Sequence, residues 1–167
     1  AAQLHELALD SHLRNFSSDH PYVAISQSNL AAVLVELGDY TRANILYELA
    51  LNSNIRNFGS HHPTVAQSQS TLAAFFYNTG NYTRAVTLLE LTLDSNMRNF
   101  EPHHPNVIQS QLNLAYVYYQ LDRLNEAKIL SEQALHTVEK NLGMSHPKYA
   151  SILKWLNDVN EKLNTSS

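Results

Sequence analysis

From Pro21 onward the chain places apolar residues at Val23, Ala24, Leu30, Val33, Leu34 and Leu37, the spacing of one face of an α-helix, with polar residues between them. Pro21 suits the first helical position, where its missing N–H is not needed, and Gly38 ends the stripe. After the Gly38-Asp39 turn a second stripe runs through Tyr40, Ala43, Leu46, Tyr47, Ala50, Leu51 and Ile55 and closes near Asn57-Phe58. The pattern predicts a helical hairpin, and it recurs. His20-Pro21, His62-Pro63, His104-Pro105 and His146-Pro147 fall 42 residues apart, and Leu30, Leu72, Leu114 and Leu156 keep the same step. More than half the positions of residues 21–62 are identical in 63–104.

Neither helix of such a hairpin can bury its stripe alone in water, so successive hairpins must stack. Ala31, Ala43 and Ala50, set among Leu and Tyr, predict close approach of the helices. The expected organisation is one all-α solenoid domain over residues 1–167. It holds a second-helix half repeat at 1–16, full repeats at 21–58, 63–100 and 105–142, and a terminal first helix at 147–164. A chain that opens inside a hairpin is expected to belong to a longer one.

Composition narrows the function. With 44% apolar and 16% charged residues the chain has the balance of an ordered domain. Eleven Lys and Arg stand against 15 Asp and Glu, a net charge of -4 with no basic run, so no nucleic-acid partner is expected. No stretch approaches the roughly 18 apolar residues of a membrane span, and no signal-peptide pattern opens the chain, so no membrane partner is expected either. Zero cysteines exclude thiol catalysis, disulfides and thiolate metal sites and fit a reducing compartment; a cytoplasmic location is expected. Asn-x-Ser/Thr triplets at Asn15, Asn81 and Asn164 read as chance in a chain rich in these residues.

The stretch SNLAAVLVELGDYTRANILYELAL (28–51) resembles the tetratricopeptide repeat, with its Asn-Leu-Ala run, Gly-x-Tyr turn and second-helix alanines. The 42-residue period and HHPTVAQSQSTLA (61–73) further resemble the kinesin light chain-like subclass, in which His-Pro opens the first helix. The resemblance covers residues 1–160. It implies a right-handed superhelix of helical hairpins whose first helices line a concave groove that holds peptides or partner helices. Carried over residue by residue, the groove would present Ile25, Ser28, Asn29, Ala32, Val35 and Glu36 in the first full repeat. The second would give Gln67, Ser70, Thr71, Ala74, Tyr77 and Asn78, and the third Gln109, Leu112, Asn113, Tyr116, Tyr119 and Gln120. Its one charged position is Glu36; the Lys or Arg with which the family clamps a terminal carboxylate is missing. The tyrosines are expected to be removable without harm to the fold. Two departures stand out. Asp122-Arg123-Leu124 replaces Gly-x-Tyr, which is expected to loosen that turn, and Trp155 takes the phase of Asn29 and Asn113.

Candidate chemistry beyond the groove is thin. A metal ladder on His61-His62 and His103-His104 would need adjacent side chains to converge on one ion, and no acidic residue recurs beside both pairs. A histidine just before the helix-opening Pro is better placed to pack or cap, so neither metal nor cofactor is expected. Arg14, Arg56 and Arg98, with Lys140 in phase, sit where a cation favours the carbonyl end of a helix; a ladder reading an acidic partner is the alternative. Ser26, Ser68 and Ser110 recur with the helix, and no nucleophile elbow, phosphate loop or His-Glu-x-x-His motif occurs. The expected function is non-catalytic binding of a protein or peptide partner in the groove. The alternative is a sensor or scaffold arm of a larger signalling ATPase or enzyme, its groove regulating within the molecule. A monomer is expected, with end-to-end stacking left open.

Overall fold

In the computed structural model residues 2–165 are described; Ala1, Ser166 and Ser167, at the ends of the expected domain, lie outside the described residues. Eight helices follow one another: α1 Ala2–Asn15, α2 Pro21–Glu36, α3 Tyr40–Phe58, α4 Pro63–Asn78, α5 Tyr82–Asn99, α6 Pro105–Gln120, α7 Leu124–Leu142 and α8 Pro147–Thr165. No strand occurs among the described residues. Substantial packing is confined to helices adjacent in the chain, as in a solenoid whose units touch only their neighbours.

Helix starts explain the recurring histidines. His20, His62 and His104 are N-caps in extended backbone, each followed by Pro in the first turn. The Nδ1 atoms of His20, His62, His104 and His146 accept the backbone N–H groups of Tyr22, Thr64, Asn106 and Lys148 at 3.2, 3.1, 3.1 and 3.2 Å. An accepting Nδ1 places the ring proton on Nε2. Three of these rings also stack on the phenylalanine that ends the previous helix, at 4.2 Å for Phe16–His20, 4.8 Å for Phe58–His62 and 4.1 Å for Phe100–His104. The histidine thus caps one helix and seals the corner from the one before it. Among the described residues no group of three or more His, Asp or Glu is placed to hold a metal ion.

The hairpin turns correct one expectation. Gly38 and Gly80 take φ of +81° and +78°, and Asp122 adopts +59° in the same place. Arg123 (φ −84°, ψ 62°) then follows the backbone of Asp39 (−85°, 68°) and Asn81 (−86°, 65°). The turn is therefore not loosened. Asp is among the residues that tolerate left-handed backbone, and Lys162 of α8 holds its carboxylate at 3.1 Å. The loss is local: Asp39 and Asn81 cap the following helix through their side chains, and Arg123 does not, pairing instead with Glu126 at 2.9 Å.

Fully buried alanines, Ala31 with Ala43, Ala73 with Ala85 and Ala115 with Ala127, fall at the same place in each hairpin. Between hairpins a polar pair recurs: His12–Ser26 at 2.7 Å, Asn54–Ser68 at 2.8 Å and Asn96–Ser110 at 2.7 Å. The fourth such place is apolar, with Val138 and Ile152 buried together beside Ile108 and Ala134. The outer face of α8 differs from those of the other first helices. Exposed Asn157 and half-buried Asn160 stand where Ala31 and Leu34 are buried in α2.

Candidate functional site: the first-helix face

Along the sides of α2, α4 and α6 lie clefts between successive first helices, and at the next such place, between α6 and α8, Trp155 sits against Ser131, Tyr116 and Tyr119. Between α2 and α4 lies an open cleft of about 340 Å³ lined by Val35, Tyr47, Gln67, Ser70, Thr71, Ala74, Phe75 and Asn78. Between α4 and α6 lies one of about 280 Å³, floored by Ala73, Ala74, Leu89 and Val117 and walled by Tyr77 and Tyr116, with Ser70 and Asn113 at one end. Ser70 and Asn113 also border a smaller polar niche of about 100 Å³, shared with Gln67, Gln109, Thr92, Asn96 and Ser110. An apolar slot and an amide-lined niche thus meet at the centre of the molecule.

The expected groove residues divide by where they fall. Gln67, Thr71, Asn78, Gln109, Asn113, Tyr77 and Tyr116 line these spaces. Exposed Asn29 is not among the lining residues. Gln120 borders no cleft either but donates to the Tyr77 hydroxyl at 3.3 Å, steadying that wall. Gln109 donates to Asn113 Oδ1 at 2.8 Å, and the Thr71 hydroxyl bonds back to its own helix at Gln67 O, 3.0 Å. Tyr119 faces elsewhere, into contact with Trp155 at 5.0 Å and under the Lys162 ammonium at 4.3 Å. Like Tyr77 it is half-buried and packed against the core, and it adds these contacts with α8.

Trp155 was not among the expected site residues. Its ring lies 4.1 Å from Tyr116, and its Nε1 donates to Ser131 Oγ at 3.0 Å. The signal lay in two phases read together. Positions 47, 89 and 131 of the second helices carry Tyr, Leu and Ser, and positions 71, 113 and 155 of the next first helices carry Thr, Asn and Trp. As the second-helix side chain shrinks, the first-helix one grows, until at the third place the indole sits against the small Ser131.

Electrostatics on this face is mild. Burial, then the Asp158 carboxylate and Tyr77, push the Tyr116 phenol up, so it stays neutral and able to donate. Burial does the same at Tyr47. The arginines at the helix ends are already engaged within the chain: Arg14 with Asp10, Arg56 with Asp19, and Arg98 with Asp94 at 2.8 Å. No described helix is long and apolar enough to cross a membrane.

Comparison with known proteins agrees with this architecture. Residues 1–55 and 64–140 match the profile of the tetratricopeptide repeat. A crystal structure of a Podosopora anserina protein, described as a kinesin light chain with nearly identical TPR-like repeats, gives a TM-score of 0.89. Identity to it is 26%, over 98% of this chain and 78% of that one. The crystal structure of a single-substitution variant from the same organism, otherwise described in the same words, gives 0.89 at 26% identity over 98% and 77%. BtubC (BKLC) from P. vanneervenii, at 22% identity and a TM-score of 0.75 over 96% of this chain and 65% of that one, shares the fold. No curated protein sequence matches the chain.

Proposed function

The chain belongs to the tetratricopeptide repeat family, and on that premise we propose that it is a non-catalytic module holding an extended, uncharged segment of a protein partner along its first helices. Repeats of this kind are typically scaffolds for protein–protein interaction. The observation that carries the reading is the pairing of the apolar α4/α6 cleft with the amide niche beside it. An apolar side chain of the partner would enter between Tyr77 and Tyr116, giving up water for aromatic contact. The adjoining main chain would exchange hydrogen bonds with Asn113, Gln67 and Gln109, whose amides both donate and accept. No charged side chain lines the cleft or the niche, so a charged segment would lose hydration there without gaining a partner. A cytoplasmic setting accords with the cysteine-free sequence.

The test is selection of short peptides from a random-sequence display library against the whole chain, followed by calorimetry. Selected peptides should be uncharged with one bulky apolar residue, and Tyr77→Ala should weaken them by roughly 2 kcal/mol or more, the cost typical of a dominant aromatic contact. A set of selected peptides rich in Asp and Glu, indifferent to Tyr77→Ala, would refute the reading.

A further inference from the structure

We infer that Trp155 is the end stop of the binding surface, confining a bound segment to α2, α4 and α6. The inference rests on the partner-binding reading above and adds where the partner must end.

Shape and charge reach this conclusion separately. The side-chain pairs that shape successive first-helix junctions are Tyr47 with Thr71, Leu89 with Asn113, and Ser131 with Trp155. The first two leave clefts of about 340 and 280 Å³. At the third the indole occupies the corresponding place, held by its hydrogen bond to Ser131 at 3.0 Å and by ring contact with Tyr116 at 4.1 Å and Tyr119 at 5.0 Å. Lys162 ties the same helix down. Its ammonium donates to Tyr119 O at 3.3 Å, lies 4.3 Å from the Tyr119 ring and pairs with Asp122 at 3.1 Å. A peptide running past Tyr116 would have to displace an anchored indole.

The charge pattern breaks at the same boundary. In the phase of the groove positions α8 carries Ser151, Lys154, Trp155, Asp158, Glu161 and Lys162, four of them charged. An uncharged segment laid over these side chains would strip water from their charges and offer no opposite charge in return. Tyr116 is shared: it walls the open cleft and also meets Trp155 in a tilted ring contact, so the stop abuts the pocket directly.

The test uses selected uncharged peptides that carry the photo-crosslinker p-benzoylphenylalanine at either end, with the crosslinked residues of the chain mapped by mass spectrometry. Crosslinks are expected on α2, α4 and α6 and only background on residues 151–162 of α8. In the double variant Trp155→Asn with Ser131→Leu, which rebuilds the third junction on the Leu89–Asn113 pattern, residues 151–162 should crosslink as strongly as α6. Equal crosslinking on residues 151–162 in the natural chain would overturn the inference, as would a folded double variant that gains nothing. Background along the whole chain would instead refute the partner-binding reading itself. A second readout does not depend on the variant folding: Trp155 is the one tryptophan. Saturating peptide should leave its acrylamide quenching unchanged or reduced; a rise would mean that the indole is displaced, contradicting an end stop.

Discussion

The junctions between hairpins are built in two ways. At the first three, a side chain of one second helix, His12, Asn54 or Asn96, bonds to a serine of the next first helix, Ser26, Ser68 or Ser110. At the last, Val138 meets Ile152 with no polar atom between them. The helices stack in both cases, so the polar pair is not what makes a junction form. A buried hydrogen bond adds little net stability but penalises every arrangement that leaves it unmade, so it sets register where junctions are otherwise alike. At the last junction the indole of Trp155 and the salt link of Lys162 offer a different means of fixing position.

Transplanting the polar residue tests this contrast most severely. Val138→Asn would bury an amide opposite Ile152 and should cost roughly 2–4 kcal/mol, read from urea or thermal unfolding. Adding Ile152→Ser should recover part of that loss. The reverse change, Asn96→Val, should cost less, about 1 kcal/mol, because Ser110 keeps its bond to Asn106 O at 2.8 Å.

Next comes the contrast between two groove tyrosines. Tyr119→Ala removes the contact that seats Trp155 and Lys162 and should destabilise the chain by about 2 kcal/mol. Tyr77→Ala, on the wall of an open cleft, should cost about half as much while weakening peptide binding by roughly 2 kcal/mol or more.

Smaller still is the capping effect. His62→Ala gives up both the bond to Thr64 N–H and the stack on Phe58 and should cost about 1 kcal/mol. His62→Asn restores an acceptor to the cap and should cost less. His146 shares the cap bond, but Leu142 stands where the other histidines have phenylalanine, so His146→Ala should cost less than His62→Ala.

The least effect in ordinary buffers belongs to Tyr118. Burial first, and then its hydrogen bond to Glu90, push its phenol up to about 12. The folded chain therefore holds this proton more tightly than the unfolded one. The stabilisation is complete below pH 10 and is lost as pH rises from 10 toward 12. Tyr118→Phe should flatten alkaline unfolding over that interval.

Much of the fold was legible because one period governs both packing and punctuation: Pro21, Gly38 and Ala43 each have a single physical reason to recur. The capping histidines were readable for the same cause, although the atom that caps was not. What escaped was the compensation between positions far apart in the chain. Asp122 looks like a defect until Lys162 is seen beside it, and Trp155 looks like a substitution until Ser131 makes room for it. The amides and tyrosines of the groove came from the family resemblance, carried over in phase along the repeats. That Tyr119 meets Trp155 and Lys162 while Tyr77 lines a cleft depends on α8, which one repeat viewed alone does not contain.

The central claim is that an uncharged partner segment is held at the α4/α6 cleft and not along the arginine edge. Calorimetry of one selected peptide against the natural chain, Tyr77→Ala, and the pair Arg56→Ala with Arg98→Ala tests it most directly. Tyr77→Ala should weaken binding by roughly 2 kcal/mol or more, the arginine pair should leave it unchanged, and raising salt from roughly 0.05 to 0.5 M should alter affinity less than about tenfold. Binding that survives Tyr77→Ala but disappears with the two arginines, and weakens steeply with salt, would contradict the account.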